Sequence, residues 1–148
     1  MANKRKVQLY ADGACKGNPG PGGWAAILLC QDVVIQLSGY EPDTTNNRME
    51  LQAVIEGLKA LREPCNVKVI SDSQYVCNAI NEGWLTSWQK DNWVKSNKKP
   101  VLNTDLWQQL LLLLNFHNVE FVWVKGHNGE EYNVICDKLA VAEYQKRL

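Results

Sequence analysis

Four carboxylates occupy positions in this sequence where acidic side chains could act together. Asp12 lies within a strand-like apolar run, where an ionised group is costly unless it is paired or bound to a metal ion. Glu50 lies beside the apolar stripe of a predicted helix, Asp72 follows a short β-branched run, and Asp137 lies in the last predicted helix. Like charges that approach one another repel, and hard divalent cations such as Mg²⁺ or Mn²⁺ remove that penalty. Convergence of these acids would therefore indicate a metal site.

A pair of divalent ions would give such a cluster a specific chemistry. Two ions about 4 Å apart activate a water molecule and stabilise the leaving 3′-oxygen when a phosphodiester bond is cleaved. Asp12 is the best candidate for a ligand shared by both ions, because a rigid central strand would hold it in place. His127 lies on a loop flanked by glycines and could take up or relay a proton at neutral pH. An exposed loop histidine without a role is the alternative.

Each acid, taken alone, also has a structural explanation. Asp12 could face water at a strand end, and Asp137 could be a solvated helix carboxylate. Glu50 could complete a capping box with Asn47, three residues earlier, but it lies too deep for that role if Thr45 is the N-cap. It is the combination of acids that predicts a metal site.

Asp72 could cap the helix that follows it, because Asp is a favoured N-cap residue. Ser71 or Ser73 could fill that role instead. The carboxyl end of a sheet strand is also where α/β folds usually bind ligands. The position of Asp72 is therefore compatible with both a cap and a site residue.

The hydrophobic pattern predicts the elements that must position these side chains. Apolar residues at alternate positions favour strands, and apolar residues three and four apart favour helices. Strands are predicted over residues 7–15, 24–30, 33–40, 67–71 and 119–124, helices over 45–61, 73–81, 103–115 and 132–148, and a turn over 17–23. Three sequential strands followed by alternating elements predict an α/β fold with a mixed five-stranded sheet flanked by helices. We expect one domain over residues 1–148, with an unusual tryptophan- and lysine-rich protrusion at about 84–100.

Composition and charge narrow the class of protein. The leucine run from Leu110 to Leu114, like every other apolar run in the sequence, is far shorter than the roughly 20 residues needed to cross a bilayer. The basic start lacks the apolar core of a signal peptide, and the five cysteines lack CxxC spacing, so we expect a cytoplasmic protein without disulfides or a zinc site. The formal net charge is zero, but residues 84–100 contain four lysines and one aspartate. A basic segment can thus flank an acidic centre.

Four motifs, in the right order and over essentially the whole chain, resemble those of bacterial type-one ribonuclease H. They are Tyr10-Ala11-Asp12-Gly13-Ala14-Cys15 with Gly17-Asn18-Pro19-Gly20, Thr45-Asn46-Asn47-Arg48-Met49-Glu50-Leu51, Ser71-Asp72-Ser73-Gln74-Tyr75-Val76, and Val124-Lys125-Gly126-His127 with Asn133 and Asp137. The resemblance implies the ribonuclease H-like fold and cleavage of the RNA strand of RNA–DNA hybrids with two Mg²⁺ ions, leaving 3′-hydroxyl and 5′-phosphate ends. It implies that His127 assists proton transfer or product release, and that the metal ligands are Asp12, Glu50, Asp72 and Asp137.

The same resemblance implies how a hybrid would be held. Thr45 and Asn103 resemble the pocket in which the family binds a DNA phosphate. Amides and other polar groups near the cut would read the RNA 2′-hydroxyl. Those groups would be Cys15, Asn18, Asn46, Asn47 and Gln74. Turn formation and helix capping are the alternatives for Asn18 and Asn46.

Residues 84–100 resemble the basic protrusion that grips the DNA strand in this family. Trp84 would stack on a deoxyribose or a base, whereas Trp88 and Trp93 are expected to pack within the protrusion. Phosphate contacts are expected from Lys90, Lys95, Lys98 and Lys99. A solvated lysine face is the alternative for any one of them.

Other functions are also compatible with these acidic residues. A junction resolvase or an integrase-like strand transferase would share clustered acids on a similar sheet, and fold alone does not decide function. The tryptophan-rich segment and His127 favour the hybrid nuclease. A non-catalytic hybrid-binding module and a structural domain whose acids are all caps are further alternatives. We expect a monomer whose partner is an RNA–DNA hybrid duplex, with no membrane and no obligate protein partner.

Overall fold

The computed structural model describes residues 4–126 and 131–148 of the chain. The strands in these ranges are β1 (Arg5–Cys15), β2 (Gly20–Cys30), β3 (Val33–Thr44), β4 (Cys65–Ser71) and β5 (Asn118–Trp123). The helices are α1 (Asn46–Lys59), α2 (Gln74–Asn81), α3 (Trp84–Lys90), α4 (Thr104–Phe116) and α5 (Glu131–Gln145).

The strands form one mixed sheet in the order β3-β2-β1-β4-β5. The first three strands pair antiparallel, and β1–β4 and β4–β5 pair in parallel. The predicted α/β fold with a mixed five-stranded sheet is therefore confirmed. Within the described residues, no helix is long and apolar enough to span a membrane.

Each face of the sheet has its own apolar core, because alternate side chains of a strand point to opposite faces. On one face Leu9 and Val69 pack with Val54 of α1 and Trp107 of α4. On the other face Tyr10 and Ile27 pack against α5. Both faces of β1 are thus covered, which makes it the rigid central strand that the sequence predicted.

Strand bounds differ from the sequence prediction at two places. The expected turn over residues 17–23 is shorter, because Gly22 and Gly23 of β2 pair with both β1 and β3. Strand β3 continues to Thr44 through residues that we expected to form a loop. In both cases pairing with a neighbouring strand outweighs the local preference of glycine and proline for turns.

His117, to which the sequence analysis gave no role, joins α1 to β4. Its Nδ1 accepts the backbone N–H of Cys65 at 3.1 Å, so Nε2 carries the hydrogen and donates to the Leu58 carbonyl at 3.2 Å. The ring is buried, and this burial lowers the pKa of the His117 imidazole. The neutral ring therefore satisfies two backbone groups that would otherwise be unpaired in the interior.

We expect His117→Asn to destabilise the protein by about 1–3 kcal/mol near pH 8, because it disrupts these two buried hydrogen bonds. The folded pKa is lowered, so the unfolded chain binds the proton more readily. The stabilisation is complete above the ordinary value of 6.5 and is lost as the pH falls through it towards the folded pKa. Urea unfolding of both proteins at pH 8 and pH 5.5 checks this. A stability difference that does not shrink at pH 5.5 would contradict it.

Candidate active site

Three acids from three elements meet in one cleft of the structure. Asp12 of β1, Glu50 of α1 and Asp72, which follows β4, each offer a carboxylate oxygen, and these oxygens lie within 4.8 Å of one another. Asp12 and Glu50 are each only 6% exposed, and Asp72 is half-buried. The geometry thus brings together three of the four predicted carboxylates.

Strand pairing and one glycine produce this convergence. In the parallel pair of β1 and β4, Tyr10 lies opposite Ile70, and Asp12 and Asp72 each follow two residues later. Helix α1 crosses β1 at Gly13, where a Cβ atom would overlap the backbone of Glu50. Because glycine has no Cβ, α1 approaches closely enough to place Glu50 beside Asp12.

The capping explanations for Glu50 and Asp72 are wrong. The N-cap of α1 is Thr45, whose Oγ1 accepts the Arg48 N–H, so Glu50 lies too far into the helix for a capping box. The N-cap of α2 is Ser73, whose Oγ accepts a backbone N–H one turn later. Both carboxylates are therefore available to the cleft.

Crowding and burial disfavour the charged forms of these acids. Burial first, and then the charges of Asp72 and Asp137, raise the pKa of Asp12 to about 7. Burial and the charge of Asp12 raise the pKa of Glu50 well above its ordinary value. A hydrogen bond between the two carboxyls favours ionised Asp12 and protonated Glu50.

The donor set fits a hard divalent cation. Three carboxylates are the oxygen ligands that Mg²⁺ and Mn²⁺ prefer. Glu50 Oε2 is buried and has no hydrogen-bond partner among the described residues, and a buried acceptor without a partner is costly. A bound cation would supply that partner.

Asp137 lies on the wall of the same cleft rather than within the compact group of three. It extends from α5, lines the cleft beside Asp12 and contributes to the raised pKa of that residue. The group of carboxylates within 4.8 Å of one another does not include it. The other predicted catalytic residue, His127, lies outside the described residues.

Three of the five predicted groove residues line the acidic cleft, and Cys15 and Asn18 do not. Asn46, Asn47 and Gln74 line the cleft. Asn18 Oδ1 accepts the Asn46 backbone N–H at 3.0 Å, which pairs a donor in the first turn of α1. The Cys15 thiol is half-buried and donates to two backbone carbonyls at 3.4 and 3.5 Å. Cys15 therefore anchors the turn beside the cleft.

The predicted phosphate pocket is built around Arg48. Thr45 and Asn103 both bond to this arginine, through its backbone N–H at 3.2 Å and through its Nη1 at 3.3 Å. The guanidinium also forms a bidentate ion pair with Asp105, at 3.0 and 2.7 Å, which ties α1 to α4. Asn103 in turn donates to the Tyr75 hydroxyl at 3.1 Å. This network fixes the two predicted phosphate contacts relative to each other.

The protrusion contains a helix, α3, that the sequence analysis did not predict. Leu85 is its buried anchor, and Trp84 remains 42% exposed. Trp88 and Trp93 are partly buried, but they pack against the apolar core between the sheet and helices α1 and α4, and not only within the protrusion as predicted. Of the four lysines predicted to contact phosphates, Lys90, Lys98 and Lys99 are exposed, and Lys95 is half-buried.

Trp123 and Gly126 lie near the acids, but neither was predicted from the sequence to be a site residue. Trp123 at the end of β5 lines the cleft, and Gly126 lies against the Asp72 carboxylate. A signal for Trp123 existed, since it occupies the same strand-end position in β5 as Ser71 does in β4, immediately before Asp72.

Comparison with known proteins identifies the family. The RNase H family model matches residues 4–145. The chain belongs to the RNase H family. It is 54% identical over 146 residues to the ribonuclease H of Caldanaerobacter subterraneus subsp. tengcongensis, covering 99% of this chain and 95% of that protein. The predicted family is therefore confirmed, and the chain is a nuclease that cleaves the RNA strand of RNA–DNA hybrids.

Solved structures share the fold over the full chain. LC9-RNase H1, a type 1 RNase H with the type 2 active-site motif, is 30% identical with a TM-score of 0.86, and the match covers all of this chain and 76% of that one. LC11-RNase H1, solved in complex with an RNA/DNA hybrid, is 22% identical with a TM-score of 0.73 over 95% of this chain and 98% of that one.

We expect Asp12→Asn to stabilise this RNase H in EDTA at pH 8.5, by about 2 kcal/mol, because it removes a buried charge from beside two other acids. The gain should shrink at lower pH. A folded pKa of about 7 against 3.8 means that the cost of ionising Asp12 builds up between those values as the pH rises. Urea unfolding at pH 8.5 and pH 5 measures both effects.

Asp32→Asn is the matched control, because Asp32 is exposed in the turn between β2 and β3. It should change stability by less than about 0.5 kcal/mol. Equal effects of the two substitutions, or a loss of stability with Asp12→Asn, would contradict the crowding of charge at the site.

Proposed function

We propose that the acidic cleft binds two Mg²⁺ ions, with Mn²⁺ as an alternative, and that the ligands are Asp12, Glu50, Asp72 and Asp137. The observation that carries this proposal is the close approach of three carboxylate oxygens, within 4.8 Å of one another, beside a buried Glu50 oxygen without a hydrogen-bond partner. Ions bound there supply the charge that activates water and stabilises the leaving 3′-oxygen. Products with 3′-hydroxyl and 5′-phosphate ends follow from that chemistry.

The chain's own residues have distinct parts in this scheme. Asp12, held in the central strand, is the ligand proposed to be shared by both ions. Asp137 on the cleft wall completes the set from the side of α5. His127, which lies outside the described residues, would take up or relay a proton.

The hybrid is proposed to lie along the cleft and to cross onto the protrusion. Thr45 and Asn103 would hold a DNA phosphate, and Trp84, Lys98 and Lys99 would contact the DNA strand further along. Near the cut, the RNA strand would meet Cys15, Asn18, Asn46, Asn47 and Gln74. LC11-RNase H1, which shares the fold, was solved in complex with an RNA/DNA hybrid, and this supports a hybrid as the bound substrate.

We propose that residues 1–148 act as one domain and as a monomer in the cytoplasm. One continuous sheet joins the first and last strands, and α5 packs on β1 and β2. This architecture supports a single folding unit.

Cleavage of a labelled RNA–DNA hybrid by wild type and Asp12→Asn, with Mg²⁺ or with EDTA, tests the proposal. Removing one charge while keeping the shape should lower the cleavage rate at least about 10³-fold, because the cation site loses its shared ligand. Hybrid binding in EDTA should change less than about threefold. Rapid cleavage by Asp12→Asn, or cleavage by wild type in EDTA, would overturn the proposed metal chemistry.

The choice of substrate separates this function from other nucleases of the same fold. Wild type should cut the hybrid and leave double-stranded DNA and a four-way junction intact, and end analysis should find 3′-hydroxyl and 5′-phosphate groups. Preferential cutting of the junction would favour a resolvase instead.

Replacing Lys98 and Lys99 together by alanine should weaken hybrid binding and flatten its salt dependence. Each phosphate contact that is lost lowers the slope of log K against log salt by roughly one. Both lysines are exposed and neither lines the acidic cleft, so the rate at saturating hybrid should hold. Binding measured between 50 and 200 mM salt checks this, and an unchanged slope would remove these lysines from the interface.

A further inference from the structure

The end of β5 forms hydrogen bonds with the backbone at Asp72 and at the residue before it. The Trp123 indole N–H donates to the Asp72 backbone carbonyl at 3.0 Å, and the Val124 N–H donates to the Ser71 carbonyl at 2.9 Å. These bonds extend the parallel pairing of β4 and β5 past the last strand residues. The backbone of Asp72 is thus fixed from the β5 side as it turns towards α2.

Gly126 leaves room for the side-chain carboxylate of Asp72. A Cβ atom at this position would lie 2.8 Å from Asp72 Oδ2, closer than real Cβ contacts come. Gly126 has no positive φ, unlike Gly17 and Gly83, so its backbone does not require glycine. The requirement comes from the Asp72 carboxylate, which occupies the space that a side chain would fill.

We propose that Trp123 and Gly126 are positioning residues for Asp72. The indole holds the main chain of Asp72, and the missing side chain of Gly126 admits its carboxylate to the acidic cluster. This inference rests on the proposed role of Asp72 as a metal ligand. It gives a physical reason for a tryptophan at the end of β5 and a glycine three residues later. Groups that orient ligands commonly change metal affinity by 10- to 100-fold.

Mg²⁺ binding to the protein without nucleic acid, measured by calorimetry, tests the proposal. Gly126→Ala should weaken Mg²⁺ binding about tenfold, because the new methyl group displaces a flexible carboxylate rather than backbone. Trp123→Phe keeps the ring and loses the N–H, and it should weaken binding about threefold. Thermal unfolding in EDTA should show both variants folded, and a variant that does not fold leaves the other to decide.

Trp84→Phe is the matched control for the indole, because Trp84 is 42% exposed and Trp123 is 43% exposed. Trp84 lies in α3, outside the cleft, so Mg²⁺ affinity without nucleic acid should stay within twofold. An equal loss in both tryptophan variants would overturn a specific role for Trp123.

A double-mutant cycle with Asp72→Asn shows whether the effect runs through Asp72. Gly126→Ala should cause no further loss of Mg²⁺ affinity once the carboxylate is gone. Additive losses, or unchanged affinity in Gly126→Ala and Trp123→Phe while Asp72→Asn weakens binding, would overturn the positioning role alone. Unchanged affinity in Asp72→Asn would instead overturn the proposed metal site.

Activity gives an independent readout. In both positioning variants a higher Mg²⁺ concentration should be needed for half-maximal cleavage. For Gly126→Ala the KM for the hybrid should stay within twofold, because the substitution acts on an acid and not on a groove residue. A raised KM at an unchanged Mg²⁺ requirement would place Gly126 in substrate binding and contradict the proposal.

Discussion

The structure is organised around the cost of holding two acids next to each other in a place with little water. Asp12 and Glu50 are nearly fully buried and share a hydrogen bond, and burial raises the pKa of both. A fold chosen for stability alone would put apolar residues there. The site persists because β1 is covered on both faces and cannot move away from α1. The packing that makes the central strand rigid thus also keeps the carboxylates of Asp12 and Glu50 close together.

Sheet topology decides which side chains share that cost. The parallel pairing of β1 with β4 places residues after Tyr10 and Ile70 side by side, which is why acids 60 positions apart in sequence become neighbours. Parallel pairing of β4 with β5 then brings a third chain segment to the same edge. Ligand sites at the carboxyl ends of neighbouring strands are a general consequence of such sheets. The end of β5 can therefore hydrogen-bond to the backbone at Asp72 from the side opposite β1.

Local patterns in the sequence were enough to predict the strands and most helices, because periodicity records which face of an element is buried. The three converging acids were predicted from their combination and from the resemblance to ribonuclease H, not from periodicity. Helix α3 was missed because Leu85 is its one fully buried residue, too few to set a period. The sequence also could not separate Asp137 from the compact group, since α5 reaches the cleft only through tertiary packing on β1 and β2. Gly126 was missed for a related reason: its neighbour in space, Asp72, follows a strand that is distant in sequence.

Helix α1 links the two halves of the proposed substrate site. Thr45 begins this helix and Glu50 lies five residues later, which is about 7 Å along the axis at 1.5 Å per residue. The ion pair of Arg48 with Asp105 ties the same helix to α4, which Asn103 caps. The backbone dihedrals and hydrogen bonds of a helix fix its rise per residue, so the distance from the proposed phosphate pocket to the acids is set by helix geometry rather than by loops. If Thr45 and Asn103 bind a DNA phosphate as proposed, a duplex would reach both places at once only if its groove width matches that distance, so the shape of the hybrid would be read by a rigid spacing and not by contacts to individual bases.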